Sequence, residues 1–134
     1  MEVAVVDTDV FSFWQRGDTR GNLYRTALAK TVVIVSFQTV AEVLRWTFQR
    51  NWSETRRSGI ETALQEVPVV EYSFELARHW AAIMAETSRA GFSMGVADAW
   101  VAATARMLDL PIATHNRRHF ERVAGVSVIT FAPA

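Results

Sequence analysis

Acidic and amide side chains occur at four separate points along the chain, each beside a hydrophobic run or inside one. They are Asp7 and Asp9, Glu42, Asp98 and Asn116. A carboxylate buried without a partner is costly, so each acid needs water, a hydrogen-bond donor or a cation. Carboxylate and amide oxygens are hard ligands that suit Mg²⁺ or Mn²⁺ rather than zinc. Together they indicate metal-assisted phosphodiester hydrolysis, in which the cation polarises the phosphoryl oxygen, activates water and steadies the leaving oxygen.

Asp98 is the acid that a purely structural role explains least well. The apolar stretch at residues 94–103 contains no other charge, and a lone acid there needs a metal ion, an arginine or backbone donors. Asp7 can instead cap a helix, and Glu42 can be solvated or paired with Arg45. It is the four segments taken together that favour a metal site over these ordinary alternatives.

Apolar runs that suit buried strands alternate with helical patterns along the whole chain. Strands are predicted at residues 3–6, 32–35, 67–72, 111–114 and 126–131. Helices are predicted around residues 22–29, 36–50, 53–66, 74–89 and 95–108, with a loop or broken helix running through Gly17 and Gly21. This alternation predicts one α/β domain over residues 1–134, with a parallel sheet of about four to five strands flanked by helices. Ligands bind at the carboxyl ends of the strands in such sheets, which is where Asp7 lies.

The composition excludes several other classes of protein. There is no cysteine, which rules out disulfide scaffolds and thiolate metal sites. No stretch approaches the ~20 apolar residues of a membrane span, and the acidic start does not resemble a signal peptide, so we expect a cytoplasmic protein without a membrane partner. The formal net charge is zero, so no overall basic field indicates nucleic acid. Lys30 is the only lysine among 14 basic residues, and arginine suits phosphate contacts and ion pairs alike.

The four segments resemble the motifs of the PIN-domain nucleases, and most closely those of the VapC type of bacterial and archaeal toxin. The matching positions are residues 6–10 and 36–43, Asp98 with residues 102–105, and residues 113–116 followed by Phe120. The resemblance covers essentially the whole chain. It implies a twisted parallel sheet flanked by helices, RNA cleavage that depends on Mg²⁺ or Mn²⁺, frequent homodimers, and an antitoxin that blocks the site.

The resemblance also implies roles for individual residues. Asp7, Glu42 and Asp98 match the three most regular acids of the family and are expected to hold the metal ion, and Asn116 is expected to complete the catalytic set. Further residues are expected to support the site or to contact RNA. The supporting residues are Thr8, Asp9, Ser36 and Thr114, and the RNA contacts are Arg45, Arg117, Arg118 and His119.

Two departures from the family pattern concern a fourth carboxylate. Asp9 stands where the family usually has Asn, and neither Asn116 nor His119 is the acid that family members often have near the end of the chain. The fourth carboxylate is therefore missing unless Asp9 or Glu121 replaces it, which favours a weak or single metal ion. The alternative function is a PIN-like module that binds RNA or a partner protein without cutting. Retention of the three principal acids favours cleavage, since a binding module gains nothing from groups that repel phosphate.

Aromatic side chains flank the segment that carries Glu42. They are Trp46, Phe48 and Trp52, with Trp80 and Trp100 further along the chain. Aromatic rings can stack on RNA bases, but at helical spacing they more often pack in a core or a subunit interface. We therefore expect core or interface positions for them.

Overall fold

The computed structural model describes residues 2–133, and five parallel strands form its centre. In chain order they are β1 (Glu2–Val6), β2 (Thr31–Ser36), β3 (Val69–Val70), β4 (Ile112–Ala113) and β5 (Val128–Ile129). Their order in the sheet is β3-β2-β1-β4-β5, and every adjacent pair is parallel. The predicted α/β fold with a parallel sheet of four to five strands is confirmed. The last three strands are shorter than predicted, with two residues each.

Within residues 2–133, six helices flank the sheet, and serine side chains cap three of them. The helices are α1 (Thr8–Arg16), α2 (Gly21–Ala27), α3 (Phe37–Gln49), α4 (Glu54–Glu66), α5 (Phe74–Arg89) and α6 (Val96–Leu108), and a 3₁₀ turn follows at Arg117–His119. Ser36, Ser53 and Ser73 each accept a hydrogen bond from a backbone N–H of the following helix, which satisfies a donor that the first helical turn leaves free. Within residues 2–133, no helix is long and apolar enough to cross a membrane.

The segment between Asp7 and Gly17 differs from the prediction, because it forms a regular helix rather than a loop or broken helix. The Asp7 carboxylate accepts a hydrogen bond from Thr8 N at 2.8 Å and so caps α1. Val10 and Phe11 lie on its buried face. Gly17 ends the helix with φ 67°, a left-handed conformation that glycine adopts at little cost. Tertiary burial of this face stabilises a helix that the local pattern left undecided.

Hydrophobic clusters lie on both faces of the sheet. Alternate residues of β1 divide between them: Val5 belongs to the cluster under α5 and α6, whereas Val6 belongs to the cluster under α1 to α4. Both side chains are fully buried, and burial of each contributes about 1.5–3 kcal/mol. A central strand buried on both faces accounts for the continuous apolar run in the sequence. The residue that follows this strand, Asp7, is therefore attached to a central strand that is buried on both faces.

Candidate active site

The strand order of the sheet reverses between β1 and β4, and the candidate site lies at that point. β2 and β3 follow on one side of β1, and β4 and β5 lie on the other. Ligands bind at the crevice that such a reversal leaves at the carboxyl ends of the strands. Asp7 directly follows β1 and Thr114 directly follows β4, and the Asp7 N–H donates to the Ala113 carbonyl at 2.9 Å. The fold thus joins two segments that are 107 residues apart in the chain.

Four acidic side chains from three separate segments line one cleft of about 240 Å³ at this crevice. The residues around it are Asp7, Thr8, Asp9, Glu42, Trp46, Asp98, Asn116 and His119. They come from the start of α1, the middle of α3, the first turn of α6 and the loop after β4. Within residues 2–133, no three acidic or histidine side chains converge on one point at metal-ligand spacing. The acids share a cleft rather than a closed ligand cage.

Asp7 is the most buried of the four acids, with 5% of its surface exposed. Its two carboxylate oxygens accept hydrogen bonds of 2.8 Å, one from Thr8 N and one from the Thr114 hydroxyl. Burial and the neighbouring Asp9 charge raise the pKa of Asp7 to about 8, although these two hydrogen bonds oppose the rise. The carboxylate is therefore firmly oriented, while its negative charge is poorly compensated.

Asp9 and Asn116 form a hydrogen-bonded pair in the cleft. Asn116 Nδ2 donates to Asp9 Oδ2 at 3.0 Å, and the His115 backbone N–H donates to the same oxygen at 3.0 Å. Burial raises the pKa of Asp9, and backbone hydrogen bonds oppose the rise. The family resemblance implies Asn at the position of Asp9 and often an acid at that of Asn116 or His119, so the expectation that Asp9 replaces this carboxylate stays a prediction. Glu121, the other expected replacement for the fourth carboxylate, lies outside the cleft and 3.6 Å from Arg117 Nε.

Glu42 and Asp98 complete the acidic group from two different helices. The Thr8 hydroxyl donates to Glu42 Oε1 at 3.3 Å, and His119 Nδ1 lies 2.9 Å from Asp98 Oδ2. Burial raises the pKa of both carboxyl groups, while Thr8 opposes the rise at Glu42 and His119 opposes it at Asp98. Arg45 has only a minor effect on the pKa of Glu42. Pairing with arginine therefore does not explain Glu42.

The direction of these pKa changes distinguishes the cleft from ordinary surface ion pairs. Asp18 and Glu86 lie 2.7 and 2.6 Å from arginine side chains, and the pKa of each acid is lowered. In the cleft, the pKa of every one of the four acids is raised. Clustered acids of this kind are stabilised by a cation or by protons, and such clusters are typical of functional sites.

The remaining predicted residues lie behind the cleft or beside it. Ser36 is fully buried and caps α3 with its hydroxyl, so it acts through the helix that carries Glu42. Arg45 is exposed on the same helix. Arg117 and Arg118 are exposed in the 3₁₀ turn and do not line the acidic cleft.

Two residues near the site were not predicted to belong to it. Trp46 lines the acidic cleft one helical turn after Glu42 and also packs against the core, so a core position is only part of its environment. The four-residue spacing from Glu42 is a sequence signal for this location. Tyr24 is fully buried, with its hydroxyl 2.7 Å from His115 Nδ1 and accepting the Phe131 N–H at 3.0 Å. No local pattern indicates these contacts, because the partners are 91 and 107 residues away.

Comparison with known proteins supports the family suggested by the motifs. The model of the PIN domain matches residues 4–126. The tRNA(fMet)-specific endonuclease VapC of Shigella flexneri is 29% identical over 91% of this chain and 92% of its own length. Ribonuclease VapC2 of Haemophilus influenzae is 35% identical over 66% of this chain and 67% of its own length.

Solved structures of VapBC complexes share the fold. The VapBC2 structure from Rickettsia felis, bound to a promoter DNA fragment, has a TM-score of 0.84 at 16% identity and covers 96% of this chain and 98% of that one. DNA-bound VapBC from Salmonella typhimurium has a TM-score of 0.80 at 23% identity, with 97% and 98% covered. The predicted resemblance is confirmed: the chain belongs to the PIN-domain family, and VapC ribonucleases are among its relatives there.

Proposed function

We propose that this protein is a metal-dependent endoribonuclease and the toxin of a VapBC-type toxin–antitoxin pair. The observation that carries the proposal is the cleft at the reversal of strand order, where four acids from three separate segments all have raised pKa values. Relatives named as an endonuclease and a ribonuclease support the activity. VapBC complexes with the same fold support the toxin assignment.

The donor chemistry of the cleft fits Mg²⁺ or Mn²⁺. Asp7, Glu42 and Asp98 would hold the ion, and Asp9 supplies a fourth carboxylate nearby. These cations prefer such oxygen donors, and a bound cation would also compensate the negative charges whose burial raises the pKa values of the four acids. When bound, the cation polarises a phosphoryl oxygen and lowers the pKa of water.

The contribution of the protein itself is to orient the acids before RNA arrives. The backbone N–H of Thr8 fixes one oxygen of Asp7, and the Thr8 hydroxyl donates to Glu42. The Thr114 hydroxyl fixes the other oxygen of Asp7, and the Asn116 amide fixes Asp9. Groups held in this way need little rearrangement as charge develops at the phosphate.

A tRNA is the first substrate to test. The VapC proteins of Shigella flexneri and Salmonella typhimurium are both named as tRNA(fMet)-specific endonucleases. Exposed basic side chains around the cleft would contact the RNA backbone, since arginine forms bidentate bonds with phosphate. These are Arg45 on α3, Arg117 and Arg118 in the 3₁₀ turn, and His119 at the cleft. Cleavage of tRNA would take place in the cytoplasm.

The protein partners that we propose are a cognate antitoxin and a second copy of the chain. The VapBC complexes support the antitoxin. An apolar groove between α3, α4 and β3 includes Val40, Leu44 and Leu64, and the carboxylates of Glu61 and Glu71 also line it. Such a groove suits an apolar segment that carries basic residues. Other large apolar side chains are available for a dimer contact, of which the most exposed are Phe48, Tyr72 and Phe74.

Cleavage of tRNA by the purified chain with Mn²⁺ or Mg²⁺ tests the proposed activity. Asp7→Asn and Asp98→Asn should each lower the cleavage rate by roughly 100-fold or more, because each removes a charged oxygen ligand. Asp109→Asn is the matched control. Asp109 is exposed at the far end of α6 from Asp98, in a left-handed conformation that Asn also adopts.

The comparison of RNAs and metals completes the test. EDTA should stop cleavage. The cleavage rate of the initiator tRNA compared with the rates of elongator tRNAs measures how selective the protein is for the initiator tRNA. Cleavage that is absent, or equal in wild type and Asp7→Asn, would contradict the nuclease proposal. Binding of the same RNA without cleavage would instead support the alternative, a PIN-like RNA-binding module.

A further inference from the structure

A second cleft, of about 180 Å³, adjoins the acidic one and has the opposite charge. It is lined by residues 115–119 together with Ala132 and Pro133. Asn116 and His119 line both clefts and so form the wall between them. Among the described residues, the other polar lining of the second cleft consists of two arginines and a histidine, without any carboxylate. We call it the basic cleft.

The two walls of the basic cleft are tied together by one buried hydroxyl group. Tyr24 is fully buried, and its hydroxyl lies 2.7 Å from His115 Nδ1 on one wall. The same hydroxyl accepts the Phe131 N–H at 3.0 Å, directly before Ala132 on the other wall. The Ala132 N–H in turn donates to the Thr130 hydroxyl at 3.1 Å. The cleft is therefore held in shape before any ligand binds, which lowers the entropy cost of binding.

The positive charges of the two arginines in the basic cleft are only weakly neutralised by carboxylates of the protein. Arg117 Nε is 3.6 Å from Glu121, and both side chains are more than 40% exposed, so this contact is weak. Within residues 2–133, Arg118 forms no ion pair at 4 Å or less, and its side chain is exposed. Guanidinium groups in this state are well suited to bind a phosphate oxygen pair.

We propose that the basic cleft binds a backbone phosphate of the RNA next to the scissile one, and that Arg118 is its principal ligand. This inference rests on the proposed function, in which the scissile phosphate lies at the acidic cleft. Metal-free carboxylates repel the RNA backbone, whereas the basic cleft attracts it without a metal ion. RNA binding therefore has a metal-independent part that depends on Arg118.

Binding of a fluorescent single-stranded RNA in EDTA, measured by anisotropy at several salt concentrations, tests this part alone. Arg118→Gln should reduce the slope of log affinity against log salt by about 0.7, and so weaken binding about 5-fold at 0.1 M salt. Arg89→Gln is the control, since it removes the same charge from an exposed arginine. Arg89 lies in the last turn of α5, whose first turn follows β3 at the carboxyl edge of the sheet. Arg89 is therefore at the far end of this helix from the edge where the two clefts lie.

Single uncharged methylphosphonate linkages, placed in turn along the RNA, locate the phosphate. One linkage should weaken binding to the wild type and to Arg89→Gln while leaving binding to Arg118→Gln unchanged. The inference is overturned if no linkage behaves in this way, if Arg118→Gln and Arg89→Gln have equal salt slopes, or if the wild type does not bind RNA in EDTA.

The same proteins separate this inference from the proposed nuclease function. Arg118-dependent binding by a wild type that cuts no RNA with Mn²⁺ would overturn the nuclease function and keep the phosphate site. Normal cleavage by the wild type, together with an Arg118→Gln variant that binds RNA like Arg89→Gln, would overturn the phosphate site and keep the nuclease function.

Discussion

Replacement of Asp7 by asparagine should make the metal-free protein more stable at neutral pH, although it removes the central acid of the site. Asp7 is 5% exposed, and its pKa is raised from 3.8 to about 8. The native protein therefore keeps this proton to a higher pH than the unfolded chain does. As pH rises from about 4 to about 8, the unfolding free energy falls, because ionisation is easier in the unfolded chain.

The size of the effect follows from the linkage between proton binding and folding. Each pH unit between the two pKa values costs about 1.4 kcal/mol of unfolding free energy. Between pH 5 and pH 7 the wild type should thus lose about 3 kcal/mol from Asp7, equivalent to roughly 1–2 M in the urea midpoint. The Asp7→Asn variant should not lose this unfolding free energy, because asparagine does not ionise. Asp9, Glu42 and Asp98 also have raised pKa values, but both proteins contain them, so the difference between the two proteins isolates Asp7 and its coupling to its neighbours.

Urea unfolding at pH 5 and pH 7, in EDTA and then in Mn²⁺, measures the effect. Mn²⁺ at 100 times its dissociation constant should raise the unfolding free energy of the wild type by about 2.7 kcal/mol, and should raise that of Asp7→Asn far less. Asp109→Asn should follow the wild type in every condition. Parallel pH dependences of wild type and Asp7→Asn would refute the argument that burial and the Asp9 charge keep Asp7 protonated in the native state.

Three further experiments test individual contacts of the site. Asp9→Asn and Asn116→Asp should each weaken Mn²⁺ binding, measured by calorimetry, because the first leaves the pair with no carboxylate and the second leaves it with two. The variant that carries both substitutions should recover binding to within about 3-fold of wild type, since the effects of coupled neighbours are not additive. A double variant that binds Mn²⁺ more weakly than both single variants would disprove the pairing. Tyr24→Phe should lower the unfolding free energy by about 1–3 kcal/mol, because the hydrogen-bond partners of the Tyr24 hydroxyl are left without a partner. It should also reduce cleavage. Tyr72→Phe, at an exposed tyrosine, should change neither the unfolding free energy nor cleavage. Trp46→Leu should raise KM for RNA about 10-fold with a smaller change in kcat, as expected for loss of stacking on an RNA base. Trp46→Phe should retain most of the affinity for RNA. An unchanged KM in Trp46→Leu would show that this ring only packs against the core.

The sequence alone determined the strands, most of the helices and the chemical character of the site. The central strand is predictable because burial on both faces requires a continuous apolar run. Asp98 is predictable as a functional candidate because a lone acid in an apolar helix needs a partner wherever that helix packs. These inferences depend on properties of neighbouring residues, which the order of the chain displays directly.

The tertiary structure decided which groups meet. The helix after Asp7 depends on burial against other elements, and the partner of Asp98 is His119 rather than an arginine. The hydrogen bond of 3.0 Å between Asp9 and Asn116 joins side chains 107 positions apart in the chain. Such contacts are set by the strand order and the register of a parallel sheet, in which neighbouring strands are joined by long crossovers. Local sequence patterns carry no record of those pairings, so the chain identifies the acids while the fold determines how each one is held.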